Sequence, residues 1–429
     1  MKKEKGAITL FVLIAILFFI IVLINLLIVT ANRANKQIET TQQAIDIYGK
    51  SVDEIEDLYK SYFGDKNVIP IYTAEQLQTL ATLKTGETKN VTINEAGGKI
   101  YTFSLDKVYV LRNDIDASII DNWTAIGTQT DPFNGILEGA NYEIREININ
   151  SSDEENGLFG FVGENGKIRN LGVTNGTISG NNIILGGIAG TNVGIIENCY
   201  NTNEVECKLV ASANGLVGGI AGTNAGIIEN CWNSGTITSA SNCVGGIAGG
   251  NSGEIRSCYN EGNVSAETVS GVGGIVGYQP NSDAIVESCY NEGEILAKLA
   301  CGGVVGDCIN GSISKSYNTG NVEATSGAGG VAGICLGSIE GCYSIGTVTG
   351  NSYVGGIVGE LTSTEGISHC YYLEGTYTGG INGADVVGQA EARTSSHMRS
   401  AAFVQELGET NWKIIGNLND GYPVLAWQE

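Results

Sequence analysis

Hydrophobic and polar positions divide the chain into three parts with different periods. Residues 7–30 carry no charged side chain, and a run of this length can cross a bilayer as a helix. Over residues 31–66 apolar residues recur at steps of three and four, which predicts an amphipathic helical stalk. From residue 67 onward, short stretches rich in β-branched residues alternate with glycine and asparagine turns, which predicts strands.

The first part of the β region also contains one predicted helix. Thr73 and Gln76 have the spacing of a capping box ahead of Leu77, Leu80 and Leu83, so a helix is expected to begin there. The open ends of a repeat protein need covers. We therefore interpret residues 67–156 as an N-terminal cap with the first coils, and residues 376–429 as a C-terminal cap.

Residues 157–375 form a tandem repeat of two interleaved blocks. Seven copies of GG(I/V)(A/V)G follow one another at spacings of 32, 27, 28, 29, 27 and 26 residues, and they begin at Gly186, Gly218, Gly245, Gly273, Gly302, Gly329 and Gly355. About ten residues after each copy comes a second block such as NCYN or SCYN. Aliphatic residues stand three positions before and six positions after its cysteine. Such columns suit short strands that stack coil on coil at about 4.8 Å.

The predicted fold class is therefore all-β, a parallel β-helix (β-solenoid) that follows the transmembrane helix and the stalk. No coil can bury its apolar side alone, so neighbouring coils must stabilise one another. The glycines are expected to supply either positive φ angles or close backbone approach at the corners. A mixed α/β repeat is the alternative, but the units lack a helical run of ten residues.

The two blocks resemble the Glug motif of bacterial cell-surface and secreted proteins, among them immunoglobulin-A-protease-like proteins and adhesins. The stretch from YTAEQL at Tyr72 to GLFGFVG resembles the cap and first coils that precede such repeats, and NDGYPVLAWQ resembles their closure. The resemblance implies surface display and a right-handed β-helix, the handedness that parallel crossovers favour in general. The metalloprotease activity of some relatives is not expected here, because HExxH is missing.

The N-terminus resembles that of type IV pilin-like proteins. Lysines and Gly6 precede the apolar run, so Gly6 and Ala7 match the junction that a prepilin peptidase cuts, and the helix would then serve self-assembly. Phe11 stands where that family has a glutamate. The alternative is an uncleaved single-pass anchor in the cell membrane, with residues 1–6 as a basic cytoplasmic leader and the C-terminal bulk extracellular.

Charge and histidine content exclude several functions. With 46 acidic and 23 basic residues the net charge is −23, which repels nucleic-acid phosphates. A metal site is not expected, because the chain has two histidines and no CxxC pair. No cofactor is expected either. The acidity is interpreted as solubility of a large surface.

Six of the eleven cysteines occupy one repeat column, and Ser316 fills a seventh place: Cys199, Cys231, Cys258, Cys289, Cys342 and Cys370. We interpret the column as a stack of buried small side chains. Strict strand alternation would place these cysteines on the face opposite the aliphatic column, whereas a bend at the preceding Asn or Ser would return them to the interior. The sequence leaves both arrangements open, and a disulfide between the equivalent Cys308 and Cys335 as well.

The residue after each cysteine or its replacement is aromatic: Tyr200, Trp232, Tyr259, Tyr290, Tyr317, Tyr343 and Tyr371. A stacked core or corner ladder is the favoured interpretation, and an outward strip that stacks on carbohydrate is the alternative. The asparagines that follow, Asn201, Asn233, Asn260, Asn291 and Asn318, are expected to form a ladder that satisfies backbone groups at a turn.

No enzyme motif is found, since the chain lacks HExxH, GxSxG and a P-loop. Asp307 and Glu360 follow the GG block in two coils and are interpreted as solvated turn acids, so no catalytic residue is named. The leading hypothesis is a membrane-anchored surface adhesin, binding or structural display module whose partner is a glycan or a protein. A carbohydrate-active β-helix enzyme and a pilin-like subunit are the alternatives.

Overall fold

The computed structural model describes residues 68–151, 153–181, 184–208, 215–240, 243–266, 271–361 and 366–428, which belong to one compact unit. The predicted leader, transmembrane helix and stalk, together with the Gly6–Ala7 junction, lie outside the described residues. Within these ranges no helix has the length and apolar character needed to span a bilayer.

Each complete coil contributes short strands to four parallel sheets. In the coil that begins at Ala248, strand Ala248–Asn251 belongs to sheet 1, Glu254–Arg256 to sheet 2 and Tyr259–Asn260 to sheet 3, while Val264–Ala266 and the next Val272–Gly273 belong to sheet 4. Equivalent residues of successive coils pair in parallel, for example Ile228 with Ile255. The predicted all-β parallel solenoid is thereby confirmed.

Sheets 1 and 2 follow each other directly along every repeat. Sheet 1 has eight strands: Phe159–Val162, Ala189–Asn192, Ala221–Asn224, Ala248–Asn251, Val276–Gln279, Val305–Cys308, Ala332–Cys335 and Val358–Leu361. Sheet 2 has eleven described strands: Val68–Ile71, Val108–Leu111, Ile136–Glu138, Lys167–Arg169, Ile195–Glu197, Ile227–Glu229, Glu254–Arg256, Ile285–Glu287, Ser312–Ser314, Ser338–Glu340 and Ile367–Ser368.

Sheets 3 and 4 complete the coil. Sheet 3 has eleven described strands: Ile115–Asp116, Glu143–Arg145, Gly172–Thr174, Tyr200–Asn201, Trp232–Asn233, Tyr259–Asn260, Tyr290–Asn291, Tyr317–Asn318, Tyr343–Ser344, Cys370–Leu373 and Ala390–Arg393. Sheet 4 has fourteen: Asn148–Ser151, Glu155–Asn156, Thr177–Gly180, Ile184–Gly186, Glu204–Cys207, Leu216–Gly218, Ile237–Ser239, Val244–Gly245, Val264–Ala266, Val272–Gly273, Ile295–Gly302, Val322–Gly329, Val348–Thr349 and Ser352–Gly355.

The remaining elements lie beside or at the ends of the coils. Helix α1 (Ala74–Ala81) begins with the predicted capping box, since the Thr73 side chain accepts from the Gln76 amide and the Gln76 side chain accepts from the Thr73 amide. Its capping box is therefore confirmed. The other elements are the antiparallel pairs Lys89–Ile93 with Lys99–Phe103 and Trp412–Lys413 with Val424–Leu425, the helices α2 (Ser395–Met398) and α3 (Ala401–Leu407), and the 3-10 turns Asn94–Ala96 and Leu418–Gly421.

The second glycine of the GG block is needed for close approach between coils. A Cβ atom on Gly246 would lie 2.2 Å from the Gly274 carbonyl oxygen of the next coil and 2.3 Å from Asn260 Cγ. Both contacts are far inside van der Waals distance. Of the two roles expected for glycine, close approach is the one that this corner uses.

Positive φ angles occur instead at the residue before the cysteine column. Asn198, Asn230, Ser257, Ser288 and His369 have φ between 51° and 56°. This left-handed residue turns the strand direction, so that Ile255 and Cys258 of one coil both point inward with no exposed surface. The bend at Asn or Ser is thus the arrangement that the fold adopts.

The predicted C-terminal cap, residues 376–429, has two parts. Strand Ala390–Arg393 pairs with Cys370–Leu373 and is the last strand of sheet 3. Residues 394–428, named the C-terminal strap here, then pack along the outside of sheet 3, where Phe403 and Trp412 are buried. The strap thus covers the side of the solenoid.

Candidate functional site: the aromatic ladder

The aromatic column forms a continuous ladder of parallel rings on sheet 3. From Tyr200 through Tyr343 the centroids of neighbouring rings are 4.5, 5.8, 4.8, 4.9 and 5.1 Å apart, with interplanar angles of 11° or less. The rungs Tyr290, Tyr317, Tyr343 and Tyr371, with Tyr259 packed against them, belong to a hydrophobic cluster separate from the aliphatic interior. The ladder therefore lies on the outer side of the sheet.

The strap divides the ladder into a covered and an open half. Tyr290, Tyr317, Tyr343 and Tyr371 are buried, with at most 7% of their surface exposed. Tyr200, Trp232 and Tyr259 are half-buried. The rings of the open half therefore remain partly accessible to another molecule.

Rings of the strap sit between consecutive rungs of the covered half. Phe403 contacts Tyr343 and Tyr371 at centroid distances of 5.9 and 5.3 Å, edge to face. Trp412 lies 6.0 Å from Tyr317 and 5.3 Å from Tyr343. These are the tilted and edge-to-face geometries that aromatic quadrupoles favour. We call each such position, one ring against two consecutive rungs, a seat.

A third seat lies at the border of the two halves. Trp427 is 5.8 Å from Tyr290 and 6.4 Å from Tyr259, and its Nε1 donates to the Ser288 carbonyl oxygen at 3.0 Å. Polar groups of the strap also form hydrogen bonds with the hydroxyl groups of covered rungs. Gln428 bonds the Tyr317 hydroxyl, and Asn419 Nδ2 donates to the Tyr343 hydroxyl at 2.8 Å. Apolar and polar contacts together hold the strap.

Carboxylates flank the open half. Tyr200 donates its hydroxyl hydrogen to Glu143 at 2.6 Å, and this hydrogen bond lowers the pKa of the Glu143 carboxyl. Burial, together with the charges of Glu261 and Glu292, raises the pKa of Tyr259 to about 12. Desolvation and the like charge of Glu261 raise the pKa of Glu292. The open rungs therefore lie in a negative electrostatic environment.

The cysteine column lies in the interior, where Cys199, Cys231, Cys258, Cys289, Cys342 and Cys370 have no exposed surface. Each thiol donates to the carbonyl oxygen two residues earlier, as Cys258 does to Arg256 at 3.1 Å. Burial is the main cause that raises the pKa of the Cys199 and Cys342 thiols. All eleven cysteines lie in the described ranges and none of them forms a disulfide there, including the register pair Cys308 and Cys335.

Asparagine ladders form hydrogen bonds with backbone groups at two corners of the coil. In the predicted one, Asn260 Nδ2 donates to Gly262 O at 2.7 Å and to Asn291 Oδ1 at 2.8 Å, and the same pattern repeats along the column. A second ladder on sheet 1 links Asn192, Asn224 and Asn251 at 2.8 and 2.9 Å. Sequence reasoning missed the second ladder, although the repeated AGTN at Asn192 and Asn224 is its signal.

The interpretation of Asp307 as a solvated turn acid is wrong. Asp307 lies inside strand Val305–Cys308 with 9% of its surface exposed, and its Oδ1 accepts no hydrogen bond from a described residue. Burial and the charge of Glu360 raise its pKa to about 7. The register places Glu360 two rungs further along sheet 1, which corresponds to about 10 Å between Cα atoms.

Sheet 4 carries two open depressions. One, of about 300 Å³, is lined by residues that include Glu206 and Lys208, which form an ion pair at 3.2 Å. The other, of about 380 Å³, has Glu323 as its single acidic residue. Neither depression holds the two carboxyl groups of a glycosidase. Over the described ranges, no three His, Cys, Asp or Glu side chains are placed to hold a metal ion.

The coils and their ladders define the class of protein as a glycine-rich parallel β-solenoid. Residues 240–265 match the family model of the GLUG motif. The chain therefore carries a GLUG motif, and the match falls on the central coil that contains Cys258 and Tyr259.

Two relatives match part of the chain. A protein of Evansella cellulosilytica described as a Gly-rich membrane protein is 39% identical over 79 residues, which are 18% of this chain and 9% of that protein. Halomucin of Haloquadratum walsbyi is 37% identical over 100 residues, 21% of this chain and 1% of the relative. The chain thus matches less than a tenth of either relative's length.

One solved structure aligns along most of the chain. It is the 1.30 Å crystal structure of a Bacteroides ovatus protein described as an immunoglobulin A1 protease. The alignment covers 85% of this chain and 93% of that one, with 22% identity and a TM-score of 0.42.

Proposed function

We propose that this chain is a membrane-anchored protein of the bacterial cell surface whose β-solenoid acts as a binding or structural display module without catalysis. The observation that carries the proposal is the aromatic ladder, because it presents half-buried rings on the outside of a scaffold whose aliphatic columns are buried. The apolar residues 7–30 and the membrane-protein relative support the anchor.

The ladder is better suited to side-chain contacts than to flat stacking of a sugar. Its rings are stacked on one another within 11° of parallel, so their faces are turned to the neighbouring rungs. Mainly ring edges reach the outer surface. A sugar that lies flat on a ring face would need to displace a rung.

A screen with the full chain in lipid nanodiscs tests the binding role. Labelled chain is applied to arrays of bacterial and host glycans, matrix proteins and peptides, and a Trp232→Ala variant is run in parallel. Binding that falls with the loss of Trp232 supports the proposal. Protease shaving of intact cells should remove the solenoid, and its survival there would contradict surface display.

The carbohydrate-active enzyme is a second candidate, and one acid pair favours it. Burial raises the pKa of Asp307 to about 7, a direction that suits a general acid. The Cα atom of Glu360 lies about 10 Å away along sheet 1, near the carboxyl separation of about 6.5 to 9.5 Å in inverting glycosidases. The 9% exposure of Asp307 opposes this role. Release of reducing or unsaturated ends from a polysaccharide panel, lost in Asp307→Asn, would establish the enzyme and overturn the non-catalytic proposal.

The pilin-like subunit and the uncleaved anchor differ in whether the peptide bond between Gly6 and Ala7 is cut. Intact-mass analysis of the protein from its native membrane separates the two. We expect the mature chain to retain Met1, as an uncleaved anchor does. A chain that starts at Ala7 would assign the pilin-like role instead.

A further inference from the structure

We propose that the open half of the aromatic ladder, Tyr200, Trp232 and Tyr259, is a docking site for an extended polypeptide segment that carries aromatic side chains beside lysine or arginine. The inference rests on the proposed binding role and names the partner class of that site.

The open half of the ladder continues the surface that the strap covers. Phe403 and Trp412 each occupy one seat on the covered half, and Trp427 occupies the seat at its border. The rungs Tyr259–Trp232 and Trp232–Tyr200 form two further seats of the same construction, with centroid distances of 5.8 and 4.5 Å. The ladder therefore extends beyond the described strap rings by two seats, and Trp427 contacts only the near rung of the first, Tyr259.

The spacing of the rungs suits the side chains of an extended peptide. Successive rungs are about 4.8 Å apart, and residues i and i+2 of an extended strand are about 6.8 Å apart. Two aromatic side chains separated by one residue can therefore reach neighbouring seats after small rotations of their χ angles. A partner in extended conformation matches the ladder without folding into a domain of its own.

Acidic side chains lie near the two ends of the open half. Asp114 and Glu143 lie near Tyr200, and Glu261 and Glu292 lie near Tyr259. The Arg145 guanidinium partly offsets the first two through ion pairs with Glu143 at 2.7 Å and Asp114 at 2.8 Å. Glu261 and Glu292 repel each other, which raises the pKa of Glu292. A lysine or arginine between them relieves that repulsion. The surface therefore selects a basic segment over an acidic one.

The experiment uses a fluorescein-labelled peptide in which two tryptophans alternate with three lysines, and the full chain in nanodiscs. Fluorescence anisotropy should show saturable binding that weakens as salt is added. Trp232→Ala should weaken binding about tenfold or more, as expected for a central tryptophan. Tyr353→Ala, which removes an exposed ring from sheet 4, is the matched control and should leave the dissociation constant unchanged.

A second variant guards against a folding defect in Trp232→Ala. The double variant Glu261→Gln, Glu292→Gln leaves every ring in place and should weaken the peptide several-fold. Binding insensitive to both variants overturns the proposal, as does no binding. Tighter binding of cello- or chito-oligosaccharides, lost in Trp232→Ala, would assign a glycan instead. Polysaccharide cleavage would overturn the non-catalytic function without changing these dissociation constants.

Discussion

The residue before each cysteine decides which side chains face the interior. Its φ is close to +50° in every described coil from Asn198 to His369 except at Gly341, where φ is 61°. In a regular strand the aliphatic residue and the cysteine three positions later would face opposite sides. The left-handed residue restores both to the interior and turns the aromatic residue outward.

Replacing Ser257 by asparagine should stabilise the protein. Ser257 has φ +51°, and asparagine tolerates this region better than serine. Asparagine already occupies the equivalent position at Asn198 and Asn230. We expect a gain of about 0.5 to 1 kcal/mol in the free energy of unfolding, measured by urea denaturation.

Ser265→Asn is the control for that change, since Ser265 lies within strand Val264–Ala266 and asparagine is unfavourable in strands. It should be neutral or destabilising. A stabilisation equal to that of Ser257→Asn would refute the backbone explanation.

Asp307 should make the solenoid less stable as the pH rises. The folded state raises its pKa from 3.8 to about 7, so the folded chain keeps a proton that the unfolded chain has already lost. The stability that this proton provides is complete below the unfolded pKa and is lost as the pH passes through about 7. Asp307→Asn should therefore stabilise the protein by about 2 to 3 kcal/mol more near pH 8 than near pH 5.

Urea denaturation of both proteins at the two pH values measures this difference. The exposed Asp283 provides the control variant Asp283→Asn. An effect of Asp307→Asn that does not depend on pH would show that the carboxyl is ionised in the fold.

At the scale of the element, the GG corner sets how closely two coils approach. Gly245 and Gly246 lie where sheet 4 turns into sheet 1, and a Cβ on either would lie within 2.2 Å of a carbonyl oxygen. The oxygen that Gly245 would meet belongs to Ala248 of the same coil, whereas the one that Gly246 would meet belongs to Gly274 of the next coil. A side chain at Gly246 therefore displaces two coils at once.

Gly246→Ala should destabilise the protein by about 3 kcal/mol or more, because the methyl group forces adjacent coils apart. Gly250→Ala, in the same coil, is the matched control. Its Cβ would meet only the side chain of Leu216 at 3.3 Å, and Thr223 already occupies the register position before it. Thermal unfolding of both variants tests the difference, and equal losses would contradict the role of close approach.

At the scale of the whole molecule, the strap ties distant coils together. Gln428 bonds Tyr317 across 111 positions, and Trp427 bonds Ser288 across 139 positions. A contact that closes so long a loop does not arise within the repeat. The strap therefore joins coils that otherwise contact only their neighbours.

Trp412→Ala should loosen the strap and leave the coils folded. Trp412 is 2% exposed and contacts Tyr317 and Tyr343, so its removal leaves a cavity that costs about 3 to 5 kcal/mol. Hydrogen exchange should accelerate in α3 but not in strand Glu254–Arg256. Lys413→Ala, a half-buried neighbour, is the control, and equal acceleration in strap and coils would contradict an independent strap.

The sequence alone determined the repeating part of this protein. Partners across a parallel ladder are one period apart, so the columns of Ile255, Cys258 and Asn260 already list the contacts of each coil. The capping box at Thr73 was also predictable from the sequence, because its two members, Thr73 and Gln76, lie within one helical turn.

The tertiary structure alone decided the features that have no period. The strap contacts one set of coils, which fixes where the seats lie and which half of the ladder stays open. The burial of Asp307 likewise depends on neighbours that do not repeat from coil to coil. The inward direction of the cysteines depended on one φ angle, and Asn, Ser and His adopt both signs of φ. Sequence periodicity specifies which residues stack, whereas packing between non-repeating segments specifies which of them stay accessible to a partner.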